Sequence, residues 1–210
     1  MSGALTPITI VCEGAVDRDV LVRVLSERGL PIGPVYETGG KAKLDRRLAG
    51  YVAAARFGPW VVQRDLDADA ACPPALVARL VPVRIPGLNL IVPVRQTESW
   101  LLADRAAFAA FLGLATAAMP ENPESLADAK AEVVRLAGRS RRRAIRAGMV
   151  PSPGSGRKVG RDYGGLLAGF VAEAWNPDRA VRDGARSLAK FIERIERFRR
   201  FGQWTVPSSA

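Results

Sequence analysis

Four carboxylates in this chain stand where open parallel sheets do their chemistry. Three apolar, strand-like runs end in acid: Thr6–Cys12 runs into Glu13-Gly14, Trp60–Arg64 into Asp65-Leu66-Asp67, and Leu88–Val94 into Arg95-Gln96-Thr97-Glu98. Sites in such sheets form beyond the carboxyl ends of the strands, so Glu13, Asp65, Asp67 and Glu98 are expected at one edge. Carboxylates crowded into a small space stay ionised only around a cation, which makes them candidate metal ligands and catalytic acids. The chain has no histidine and only two cysteines, Cys12 and Cys72. Imidazole and all-thiolate zinc sites are thereby excluded, as are Ser-His and Cys-His nucleophiles. An ion held here is bound by oxygen, which favours magnesium, manganese or calcium.

Other acids carry plainer readings. Asp69 reads as a turn former, and Asp17 and Asp19 as first-turn acids favoured by the helix dipole. Glu98 stays open between a site residue and a first-turn acid. Glu13 resists a structural account, because a carboxylate following a buried strand is costly unless it is used.

Acids alone would repel a polyanion, so bases are needed at the rim. Lys41 and Lys43 follow the second strand, and Lys41 is the candidate for a catalytic cation. Arg64 and Arg95 adjoin the acidic motifs, Arg157, Lys158 and Arg161 flank a glycine-rich loop, and Arg139, Arg142, Arg143 and Arg146 would share one helical face. All nine are candidate nucleic-acid contacts, and each also reads as a solvated surface charge. Trp100, in an amphipathic segment, reads as core rather than as a platform for bases.

The elements that must position these residues alternate. Helical spacing of Val16, Val20, Leu21, Val24 and Leu25, closed by Gly29 and Pro31, separates the first strand from a second over Ile32–Tyr36. Leu44, Leu48, Tyr51, Val52 and Ala55 mark a helix before the third strand, and Pro73-Pro74 opens a short one before the fourth. Trp100–Leu112 is expected as one helix with Thr97 as its N-cap. This order predicts an α/β fold: a mostly parallel, Rossmann-like sheet flanked by helices over residues 1–115. A basic helical subdomain over 116–210 follows, with helices at Ser125–Leu136, Tyr163–Trp175 and Leu188–Phe198.

Whole-chain properties agree. Of 210 residues 48% are hydrophobic, enough for a core, and no apolar run reaches the roughly 20 residues needed to span a membrane. No signal-peptide pattern opens the chain, and two cysteines make no disulfide framework, so a reducing cytoplasm is expected. Of the net charge of +10, residues 1–100 contribute +2 and residues 101–210 contribute +8. The basic half suggests a polyanionic partner, or simply the arginine-rich usage evident throughout.

Ile10-Val11-Cys12-Glu13-Gly14 with Val61-Val62-Gln63-Arg64-Asp65-Leu66-Asp67 resembles the Toprim domain of primases, topoisomerases and overcoming-lysogenization-defect (OLD) nucleases. Pro93–Asp104, with its Glu98-Ser99-Trp100-Leu101-Leu102-Ala103-Asp104 core, is similar to the signature of an uncharacterised bacterial Toprim-like family, as are Gly160-Arg161-Asp162-Tyr163 and Trp175-Asn176-Pro177. The resemblance implies phosphodiester chemistry with Mg2+ or Mn2+. It makes Glu13 a metal ligand or general acid/base, assigns the metal to Asp65 and Asp67, and lets Glu98 complete the set. No tyrosine lies in a topoisomerase context, and no template-binding domain of a primase is recognisable. The expectation is a metal-dependent nuclease, acting on DNA rather than RNA and serving bacterial defence. No phosphate-binding Gly-x-x-x-x-Gly-Lys loop is present, so any ATPase or other defence-system partner would be a separate chain. A homo-oligomer is compatible with this reading. The alternatives are a non-catalytic nucleic-acid or nucleotide sensor and a small-molecule phosphotransferase or phosphatase.

Overall fold

Four short, apolar runs form the sheet of the computed structural model, which describes residues 5–204. Strands β1 (Ile8–Cys12), β2 (Ile32–Glu37), β3 (Trp60–Gln63) and β4 (Leu88–Ile91) lie in the order β2-β1-β3-β4, all parallel. Ile8, Ile10, Val11, Val61 and Val62 are wholly buried, as expected for central parallel strands with both faces covered. Helices connect successive strands: α1 (Ala15–Glu27), α2 (Lys41–Ala54) and α3 (Pro73–Leu80). The α/β reading therefore holds.

Local chemistry sets the element ends. Asp17 is the first-turn acid expected, and it also accepts the Gly14 N–H at 3.0 Å. Gly29, at φ +67°, closes α1 in the left-handed region where a side chain would be strained. Gly39 and Gly40, at φ +73° and +113°, turn the chain from β2 into α2.

The chain divides into two compact units, one of residues up to Pro93 together with those from Ala189 onward, the other Val94–Leu188. This differs from the boundary expected near residue 115. The last helix, α10 (Arg186–Phe201), is amphipathic and returns most of its length to the sheet unit. There Arg194 reaches the Leu90 carbonyl at 3.2 Å and the Asn89 side-chain oxygen at 3.0 Å on edge strand β4.

Among the described residues the second unit holds helices and no strand: α4 (Glu98–Ala103), α5 (Arg105–Leu112), α6 (Ala129–Gly138), α7 (Arg143–Met149), α8 (Tyr163–Glu173) and α9 (Pro177–Arg182). The single helix expected at Trp100–Leu112 is two. It breaks at Asp104, a wholly buried carboxylate that accepts the Asn176 N–H at 2.9 Å and a forked pair of bonds from Arg179 at 2.9–3.2 Å. That ion pair outweighs helical propensity, which is worth only tenths of a kcal/mol per residue. Thr97 sits at the start of α4 without a side-chain capping bond. No helix among the described residues is long and apolar enough to cross a membrane.

Candidate functional site

The sheet unit assembles an acidic centre around the ends of its two middle strands. Because β1 and β3 are neighbours, Glu13 and Asp65 leave the sheet side by side. Past the end of β3 the ladder to β4 continues, with Arg64 donating to Ile91 at 3.0 Å and Leu66 to Pro93 at 3.1 Å. The alternate N–H, that of Asp65, donates instead to the Glu13 carboxylate at 3.0 Å. A buried N–H must find an acceptor, and here a side chain replaces the main-chain carbonyl of β1. That carbonyl is occupied: the Glu13 oxygen accepts from Gly39 at 2.9 Å and Gly40 at 3.0 Å. Glu13 thus orients the acidic loop with its side chain and the turn before α2 with its backbone.

That turn aims Lys41. Its ammonium lies 2.8 Å from Asp67 and 2.9 Å from Asp69. Hydrogen bonding to Asp67, then to Asp69, raises its pKa, so Lys41 stays protonated and is no general base. One turn along α2, on the same face, Asp45 meets Arg64 at 3.1 and 3.3 Å. The Arg64 guanidinium also donates to Asp69 and to the Asp65 carbonyl. Asp69, held by Arg64 first and Lys41 second, titrates below the ordinary carboxylate range. Asp67 itself takes a left-handed backbone, φ +47°, which Asp tolerates at a cost of about 1 kcal/mol and which recurs at functional loops.

Arg64 was expected to face nucleic acid. Its side chain is only 3% exposed and is committed to Asp45, Asp69 and the Asp65 carbonyl, so it organises the acidic loop from within. Asp69 and Asp45, by contrast, were not expected here. The Lys41/Asp45 spacing at a helix start, opposite an Arg-Asp-x-Asp-x-Asp run, is the sequence signal that would have found them.

Glu98 belongs to the second unit, where it is buried and accepts the Tyr163 hydroxyl at 3.1 Å, with the Lys130 ammonium 3.5 Å away. Among the described residues no three Asp, Glu or Cys side chains close into a metal-binding group. Nor do the arginines form one helical stripe: Arg139 ends α6 and Arg142 caps α7, with Ser140 buried between them. Arg139, Arg142, Arg143 and Arg146 are nevertheless all exposed. Arg157, Lys158 and Arg161 are exposed on a loop closed at its base by Gly160 N–H to Met149 at 2.9 Å and Asp162 N–H to Gly148 at 3.0 Å. Arg95 is half-buried. Trp100 is wholly buried and donates its indole N–H to Ser187 at 2.7 Å, which makes it core. Cys12 is buried and its thiol is pushed well up by desolvation, so it is no nucleophile.

No protein-family model, curated protein or solved structure matches this chain.

Proposed function

We propose that this protein is a phosphodiesterase acting on nucleic acid, DNA ahead of RNA, with its centre at Glu13, Asp65 and Asp67. The observation that carries the reading is the Glu13 carboxylate taking the Asp65 N–H at the ends of adjacent parallel strands, beside an Asp67 held in a left-handed backbone. Glu13 and Asp65 follow adjacent strands at the edge where open α/β sheets bind ligands, and Asp67 comes two residues later. The donor type fits Mg2+ or Mn2+. The present grouping is looser than a closed three-carboxylate cage, but magnesium commonly uses one or two carboxylates and completes its shell with water and substrate oxygens. Glu13, Asp65 and Asp67 would hold it. Such an ion supplies charge stabilisation at phosphorus and a water of lowered pKa.

The protein's own groups divide the remaining work. Lys41, protonated throughout the neutral range, offsets the repulsion between a phosphate and Asp67/Asp69. Arg64 and Asp45 keep the loop in register. The exposed arginines of Arg139–Arg146 and the Arg157–Arg161 loop are candidate backbone contacts. A resemblance to Toprim nucleases agrees with this assignment.

One observation favours a non-catalytic sensor instead. Lys41 already donates to both Asp67 and Asp69, and Arg64 also pairs with Asp69, so the two acids are hydrogen-bonded without a metal. The two readings part under a manganese and magnesium titration followed by thermal shift, with cleavage of plasmid, linear and single-stranded DNA scored in the same samples. Wild type is compared with Glu13→Gln, which keeps an oxygen acceptor for Asp65, and with Lys41→Gln. The phosphodiesterase reading expects metal-dependent stabilisation and cutting, both lost in Glu13→Gln, and tighter metal binding without cutting in Lys41→Gln. Unchanged melting with either metal and intact DNA would reject it.

A further inference from the structure

Beside edge strand β4, near its amino end and away from the acidic loop, the sheet unit has a cavity of about 190 Å³. Arg84, Arg194 and Arg197 all line it. Among the described residues none of the three has a carboxylate within ion-pair distance. Arg194 is half-buried, and its pKa is lowered first by desolvation and then by the charges of Arg197 and Arg84, with Glu193 offsetting this only in part. Three guanidiniums converging on one space repel one another as crowded carboxylates do, and an anion relieves them.

Two neutral donors share the wall. The Asn89 side-chain nitrogen and the Trp204 indole nitrogen are both buried without an acceptor. Leaving such a donor unmet costs about 1–3 kcal/mol, so both are suited to an acceptor from outside the chain. Arg194 fixes the Asn89 amide by donating to its oxygen at 3.0 Å, which leaves the NH2 as the donating end. The rest of the lining is apolar, including Val77, Val81 and Ile85.

We propose that this pocket binds the oxyanion, phosphate or carboxylate, of a small and partly apolar molecule. Guanidinium forks match both oxyanions, and the apolar part of the lining fits a small non-polar group beside the charged one. The site is independent of the phosphodiesterase reading.

Calorimetric titration of the full chain with inorganic phosphate, phenyl phosphate and benzoate tests it. One equivalent of oxyanion should bind, and an aromatic ester or acid should bind better than inorganic phosphate because of the apolar wall. Preference for phenyl phosphate or for benzoate identifies the oxyanion. The exposed residues Arg84 and Arg197 can be changed without disturbing the core, and Arg84→Gln or Arg197→Gln should each weaken binding about tenfold or more. Trp204→Phe removes the N–H while keeping the stack on Phe198, whose ring lies 4.2 Å away, and should weaken it less. Arg199→Gln, on the same helix but outside the pocket, should leave it unchanged. The proposal fails if none of the three probes binds at millimolar concentration. It fails equally if Arg199→Gln weakens binding as much as Arg84→Gln, or if only an oligonucleotide binds and the pocket variants abolish that.

Discussion

Removing the guanidinium of Arg64 tests the internal organisation of the acidic loop. Arg64→Met keeps an apolar stem in a nearly closed space and takes away the partner of Asp45, of Asp69 and of the Asp65 carbonyl. Breaking a buried ion pair by deleting one member costs about 3–5 kcal/mol, because the other charge is stranded. Here the stranded carboxylates are 33% and 29% exposed, so water takes over part of their solvation and the lower end, about 3 kcal/mol, applies. In a chain of this size that is a fall in Tm of about 6–12 °C. Thermal and urea unfolding followed by far-ultraviolet circular dichroism measure it. A double-mutant cycle with Asp45→Asn should show a coupling of about 1 kcal/mol or more, since the two are in direct contact. A total loss below about 1 kcal/mol, or strict additivity with Asp45→Asn, would refute the claim that Arg64 is the counter-ion on which the loop is built.

Acid should attack the same network. The folded pKa of Asp69 lies below its ordinary 3.8, so its contribution is fully present above that value and is lost as pH falls through the lower, folded one. Asp69→Asn should therefore lower stability at neutral pH and flatten the acid limb of the stability curve below about pH 4, as pH-dependent urea midpoints will show. In the helical unit, Asp104→Ala removes the buried carboxylate that Arg179 pairs with and leaves the Asn176 N–H unmet; a loss of about 2 kcal/mol is expected, read by urea denaturation. Gly160→Ala would put a methyl group 2.1 Å from the Gly148 carbonyl, so the loop closure must open. Limited proteolysis between 151 and 159 should then accelerate while the sheet unit melts unchanged.

What the sequence revealed and what it concealed have separate physical causes. The sheet was legible because buried parallel strands are short apolar runs, and Gly29, Gly39 and Gly40 punctuate them at points where positive φ is required. That Glu13 and Asp65 lie together was legible because both follow apolar runs whose order in an α/β pattern brings their ends to one sheet edge. The break at Asp104 was hidden, since its cause is Arg179, 75 residues away, and helical periodicity carries no sign of it. Arg64 misled for a similar reason. A basic residue beside an acidic motif looks like a rim charge until Asp45, 19 residues earlier, is known to face it. The return of α10 to the sheet unit was equally invisible, because amphipathicity announces a buried face without naming what buries it.

Lys41 links the acidic centre to its proposed chemistry. Its ammonium pairs with Asp67 and Asp69, the Arg64 guanidinium pairs with Asp45 and Asp69, and the Glu13 carboxylate accepts the Asp65 N–H. A flexible, half-buried lysine is a compact charge that can leave one pair of carboxylates for a phosphate, whereas the arginine fork behind it is locked by geometry. The arrangement therefore pairs one fixed cation that holds the loop with one mobile cation at its surface. A divalent ion entering beside Asp67 would compete with the second for that carboxylate. Metal affinity should consequently be weakest in the free protein and rise when a phosphate draws Lys41 away, so that ion and polyanion bind cooperatively. Carboxylates with no internal counter-ion would hold the metal whether or not a substrate was present.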